Sequence, residues 1–183
     1  VAAVLALTTG PSPASRTALL AEHTAASLPG PAAPTPTYSP CATCPPHRCS
    51  PRTPTTQSIA RALRLVAEAD SLVVATPIHQ AACSGLLKTF LDLLPQHAFT
   101  GKPVLLLATG GSPAHVMALD HALHPVLTAL GAHVTQGRFA LDRHIMTASD
   151  GTTAFDHDDE LQLGRAIEQF ARTFPPHAHL TAV

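Results

Sequence analysis

Several things are scarce in this 183-residue chain, and each scarcity removes a class of function. Charged residues make up only 13%, and the net charge is −1, so there is no basic footprint for nucleic acid. No apolar run approaches the roughly 20 residues that cross a bilayer. No basic segment precedes the first apolar run, Val1–Leu7, so it does not read as a signal peptide. A cytoplasmic protein is expected. The chain starts at Val1 rather than Met, and a few leading residues are expected before it. There is no Gly-x-Gly-x-x-Gly, so a tightly held dinucleotide is not indicated, and no Gly-Lys-Ser/Thr, so there is no Walker loop.

What is present is apolar and alternating. Hydrophobic residues make up 45%, high for so little charge, which points to surface buried in a homo-oligomer. The length suits a single domain over residues 1–183. Val1–Leu7, Leu72–Ala75, Val104–Ala108 and Val134–Leu141 read as short buried parallel strands, the last being the final strand. Helical spacing is read over Ser15–Ser27 (Leu19 and Leu20 inward), over 58–69 (Ile59, Leu63, Val66) and over Ser84–Leu94. In that last helix Leu86, Leu87, Phe90, Leu91 and Leu94 are expected to face inward. A long helix is expected from Pro113 to Leu130 and a closing one over about 157–173. This alternation predicts an α/β, doubly wound parallel sheet with helices on both faces.

Residues 29–54 break the pattern, holding nine of the 18 prolines and no acidic residue. Proline cannot donate to a sheet ladder, so any strand here must be an edge strand, and Thr35–Ser39 is the one candidate. The rest reads as an irregular Pro/Cys-rich loop. Its cluster Cys41, Cys44, His47 and Cys49 has zinc-type ligands, but it is one crowded group rather than two paired half-sites, so no metal is expected.

Three apolar runs end in small polar turns that lead into helices, and in open α/β sheets that edge is where ligands bind. The first turn carries Ser12, Ser15, Arg16 and Thr17, hydroxyls and a cation at a helix start, suited to a phosphate. The second is Thr76, Pro77, Ile78, His79 and Gln80, where Ile78 and His79 can lie against a flat ring. The third is Thr109, Gly110, Gly111 and Ser112, whose glycines let backbone approach a planar ligand. Each also has a plainer reading as ordinary turn chemistry, with Ser15 as an N-cap.

The run Thr76–Pro95 closely matches T-P-[VI]-Y-K-A-x-Y-S-G-x-L-K-T-x-L-D-x-L-P, and Ala108–His115 matches A-T-G-G-x-x-A-H. His124-Pro125-Val126-Leu127 then stands at a K-P-V-L-like turn. On these residues the chain resembles the NAD(P)H-dependent FMN reductases of the flavodoxin-like superfamily, and in particular those that feed reduced flavin to sulfonate monooxygenases. The likeness is specific over 60–141, fair over 1–20 and absent over 29–54. It implies a five-stranded parallel sheet of order 2-1-3-4-5. It implies FMN phosphate on the Ser12–Thr17 turn and the isoalloxazine on Pro77–Gln80 and Thr109–Gly111. NADPH or NADH would pass hydride directly to the flavin, so no protein catalytic residue is required. A partner flavin-dependent monooxygenase, no membrane and no nucleic acid complete the expectation.

The sequence departs from the pattern where His79-Gln80 replaces Tyr-Lys and Cys83 replaces Tyr. In that group an inserted aromatic residue makes a π-helical bulge at a tetramer interface; the matching position is His121, which has the plainer reading of one histidine among 12. Two alternatives are a flavin-bound quinone, azo or chromate reductase of the same fold, and a non-enzymatic electron-transfer or redox-sensing module using the cysteine loop. The near-neutral charge counts against a pure carrier.

Overall fold

The computed structural model describes residues 4–9, 15–28, 37–38, 56–147 and 152–174. Strand β1 (Val4–Thr8) leads to helix α1 (Arg16–Ser27), and a two-residue strand β2 (Thr37–Tyr38) precedes α2 (Thr56–Glu68). Then come β3 (Ser71–His79), β4 (Ala82–Cys83), α3 (Gly85–Leu91), β5 (Pro103–Gly110), α4 (His124–Ala129) and β6 (His133–Leu141). Short strands β7 (Ile145–Thr147) and β8 (Thr153–Phe155) and helix α5 (His157–Ala171) follow.

The main sheet has the order β2-β1-β3-β5-β6, all parallel, with β4 folding back antiparallel on β3. Counting only the parallel strands, this is the 2-1-3-4-5 order of the flavodoxin-like fold. The edge strand lies inside Thr35–Ser39, as expected, with Leu7 opposite Thr37 and Thr8 opposite Tyr38.

Both faces of the sheet are covered, which is why the inner strands β1, β3 and β5 are near-continuous apolar runs. Alternation sorts the residues into two cores. Leu5, Leu7, Leu72, Val74, Val104 and Leu106 pack under α2, α3 and the 118–127 segment, with Val66, Leu87, Leu91, Leu123 and Leu127. Val4, Ala6, Val73, Ala75, Leu105 and Leu107 pack under α1 and α5, with Leu20, Leu163, Ile167 and Phe170. Lys102 fastens the first layer: its ammonium donates to the Val66 and Ala67 carbonyls at 2.6 and 2.9 Å, closing the end of α2. Burial pulls the Lys102 pKa down, and nearby Asp70 opposes that shift.

Four expectations need correction. Strand β3 does not stop at Ala75 but runs to His79, so four of the five residues read as a loop are strand. The helix read to Leu94 ends at Leu91, because Pro95 disfavours helical backbone at Leu94. Strand β6 is not the last, since β7 and β8 form a separate antiparallel pair.

The fourth correction concerns 113–130, which is not one helix. A 3₁₀ turn spans Pro113–Val116, a π turn spans Leu119–Leu123, and the regular α segment α4 begins at His124 and ends at Ala129. Pro125 accounts for the break. It has no N–H to give, and in an α-helix its ring would meet the carbonyl four residues back, at His121. The chain widens just before it, and His124 N–H reaches the Leu119 carbonyl, five residues back.

Candidate functional site

At the carboxyl ends of the strands, three turns share one construction. Each ends in a serine whose hydroxyl caps the next helix. Ser15 Oγ accepts from Ala18 N–H at 3.1 Å, Ser84 Oγ from Leu87 N–H at 3.2 Å, and Ser112 Oγ from Ala114 N–H at 3.3 Å. Capping leaves other first-turn N–H groups pointing outward from the 12-residue α1, together with the positive end of its dipole. Arg16 stands exposed at that end. Thr17 is buried, and its hydroxyl meets that of Thr109 at 2.7 Å. Ser12 lies outside the described residues.

The second turn is a strand extension closed by a tight hairpin. Ile78 pairs with Cys83 and His79 with Ala82. The two residues between, Gln80 and Ala81, have φ of 50° and 58°, positive at both central positions as a type I′ turn requires. His79 and Gln80 are exposed, Pro77 half-buried, and Thr76 and Ile78 buried. The Cys83 thiol, half-buried beside Ile78, has its pKa pushed up by burial.

Beneath the hairpin runs a chain of hydroxyls. Ser84 Oγ donates to Thr9 Oγ1 at 2.9 Å, Thr9 to Thr76 Oγ1 at 3.2 Å, and Thr76 to the Pro77 carbonyl at 3.1 Å. Ser84 N–H also donates to Thr76 Oγ1 at 3.1 Å. All three hydroxyl residues are buried. Buried polar groups are costly unless paired, and here the pairing ties β1, β3 and the start of α3 into one piece.

In the third turn Thr109 and Gly110 are buried and Gly111 is exposed. A Cβ on Gly110 would stand 2.7 Å from His115 Nδ1 and 3.1 Å from the Phe139 ring. A Cβ on Gly111 would meet only Asp142 Oδ2, at 4.0 Å. Gly110 is therefore glycine because protein fills the space beside it, whereas Gly111 turns bare backbone outward. His121 is exposed within the π turn, close in sequence to the exposed Val116 and Met117.

The structure thus brings Arg16, Thr17, Thr76–Gln80 and Thr109–Gly111 to one edge. The hydroxyls of Thr17, Thr76 and Thr109 are engaged within the protein, while Arg16, His79, Gln80 and Gly111 face outward. Sequence reading placed Thr9, Ser84 and His115 within the three turns but gave none of them a role at the site; they build the floor of that edge. The serine before an apolar helix was a visible capping signal; its pairing with Thr9, 75 residues away, was not.

The edge fits FMN on two observations. The α1 terminus offers free donors and a cation to a phosphate, and an uncovered glycine backbone lies at the end of β5. A third is compatible: Thr8 Oγ1, buried at the end of β1, has no partner among the described residues. No group of three or more His, Cys, Asp or Glu suited to a metal occurs among the described residues. The cluster Cys41, Cys44, His47 and Cys49 lies outside them. No described helix is long and apolar enough to cross a membrane.

Comparison with known proteins bears on the family and the fold. Residues 2–145 match the family model described as NADPH-dependent FMN reductase. An FMN reductase (NADPH) of Pseudomonas putida is 50% identical over 107 residues, covering 58% of this chain and 51% of its own length. One of Escherichia coli is 48% identical over 104 residues, covering 56% of this chain and 54% of its own length. The matched stretch thus spans about half the length of each relative. The apo crystal structure of an NADH:FMN oxidoreductase superposes with a TM-score of 0.77 at 36% identity, covering 98% of this chain and 95% of that one. With the matched model covering most of the sequence and the strand order in agreement, the chain belongs to the NADPH-dependent FMN reductase family.

Proposed function

We propose that the protein reduces FMN at the expense of NADPH or NADH and hands the reduced flavin to a flavin-dependent monooxygenase of the sulfonate type. The observation that carries the reading is the pairing of Arg16 at the open end of α1 with the uncovered Gly111 backbone at the end of β5, on one sheet edge. When bound, the flavin supplies the redox chemistry by accepting hydride from the nicotinamide. The protein binds and orients. Arg16 and the α1 N–H groups, with Ser12 and Ser15, hold the phosphate. Pro77–Gln80 and Gly110–Gly111 border the ring, and no side chain is needed as nucleophile or general acid. The relatives above, an FMN reductase (NADPH) and an NADH:FMN oxidoreductase, support both nicotinamides as donors.

The test is steady-state oxidation of NADPH and of NADH against FMN, FAD and riboflavin. The expected result is sustained turnover with FMN from a protein that purifies colourless. A yellow protein that reduces quinones or azo dyes without added flavin would replace this reading.

The chain is further proposed to be one domain and to assemble as a homotetramer through the segment around His121. The exposed Val116 and Met117 beside the π turn support this contact. Light scattering at micromolar concentration is expected to give four times the chain mass, and a monomer there removes the proposal.

A further inference from the structure

The hydroxyl bonds at the sheet edge differ in what they join. In the Ser84–Thr9–Thr76 chain every proton is spent, the last on the Pro77 carbonyl. That chain holds the β3 hairpin to β1 and α3. The Thr17–Thr109 bond lies on the opposite face of the sheet, under α1, as the strand alternation requires: Thr109 shares a face with Leu105 and Leu107. It joins two residues 92 positions apart, one in the first turn of α1 and the other at the end of β5. These elements carry the two halves of the site, the anion-binding helix end and the glycine loop.

We propose that the Thr17–Thr109 hydroxyl pair is a latch coupling these halves, so that Thr17 acts as a positioning residue for the flavin ring and not as a ligand of its phosphate. The proposal rests on the FMN reductase reading above. Thr17 and Thr109 are 2% and 1% exposed, so neither side chain is presented to an incoming molecule. Their separation of 2.7 Å is that of a well-made O–H···O bond. One flanking residue of each, Arg16 and Gly110, belongs to the part that meets ligand or supports it. Breaking the bond frees the α1 terminus and the Thr109–Gly111 backbone to shift independently.

A latch and a phosphate ligand predict different substrate patterns. The experiment uses the full chain with Thr17→Val, Thr109→Val, the double variant, and Thr17→Ser and Thr109→Ser, each checked by circular dichroism. kcat and KM are measured for FMN and for riboflavin, and flavin affinity is measured separately by fluorescence quenching. The latch predicts that either valine variant loses kcat/KM by about tenfold with both flavins. The double variant should lose no more than the worse single, because both remove one interaction. The serine variants should return to within about twofold, since the hydroxyl is kept.

A Thr17→Val loss confined to FMN would overturn the latch in favour of a phosphate contact. Losses that multiply in the double variant would overturn it as well, as would valine variants matching wild type with both flavins. If a valine variant fails to fold, Thr17→Ala removes the same hydroxyl with a strong helix former and is read the same way. If the wild-type chain shows no flavin-dependent NAD(P)H oxidation, the FMN reductase reading fails by itself. The quenching cycle then decides the latch: a loss shared by FMN and riboflavin and not increased in the double variant supports it, and any other pattern, including no flavin binding, ends it.

Discussion

The loops that leave β3 and β5 lie on neighbouring strands and meet opposite constraints. Residues 76–84 contain no glycine, yet Gln80 and Ala81 sit in left-handed backbone. That conformation costs an L-residue about 1–2 kcal/mol. The hairpin holds it with the Ser84–Thr9–Thr76 hydroxyl chain and the pairing of His79 with Ala82. Residues 109–112 contain two glycines, and neither has positive φ. One is needed for volume and the other leaves an opening. Glycine in this protein marks closeness at one loop, while backbone strain is stored at the other, and the two should not be read as one signal.

The comparison is broken most directly at Gly111. With its Cβ direction open, Gly111→Val should fold with native circular dichroism and lose FMN-dependent NADPH oxidation, because the branched side chain fills the space meant for the ring. Near-normal activity would move the flavin away from the β5 loop. Arg16 sharpens the comparison from outside both loops. Arg16→Ala should weaken FMN by about 1.5–3 kcal/mol, the worth of a charge-assisted contact, and riboflavin far less. Equal losses in flavin titrations would deny the cation a phosphate role.

Gly110 tests the volume argument. Gly110→Ala drives a methyl into His115 and Phe139, and a loss of about 1–3 kcal/mol in urea unfolding is expected. Unchanged stability would mean that His115 moves aside freely. The smallest effect is expected in the hairpin. Ala81→Gly should raise stability by about 0.5–1 kcal/mol, relieving the left-handed strain at its second central residue. A drop in the urea midpoint would show that the strain is not borne there.

These loops also mark where the sequence was legible. The apolar runs of β1, β3 and β5 are buried on both faces, so their composition alone announced a parallel sheet. The two-residue edge strand at Thr37–Tyr38 was readable because proline excluded its neighbours. The β3 hairpin was not, since Gln80-Ala81 carries none of the Asn, Asp or Gly that signal a type I′ turn. The π turn was marked by the resemblance, which set His121 at an inserted-residue bulge, and Pro125 inside the apolar helical pattern is its local physical signal. The candidate site was read as three loops that the sheet brings to one edge, but which hydroxyls face one another depends on strand register across 67 to 92 residues, which no local pattern encodes.

The hydroxyl floor has one more consequence. Ser84, Thr9, Thr76, Thr17 and Thr109 hold the sheet edge together without a carboxylate, an imidazole or an ammonium among them. None of these alcohols gains or loses a proton between pH 5 and 9, where histidine, thiol and amine groups titrate. The hydroxyl bonds of the floor are therefore deaf to acidity across that range. Any pH profile seen in turnover has to come from the reactants or from groups other than these hydroxyls.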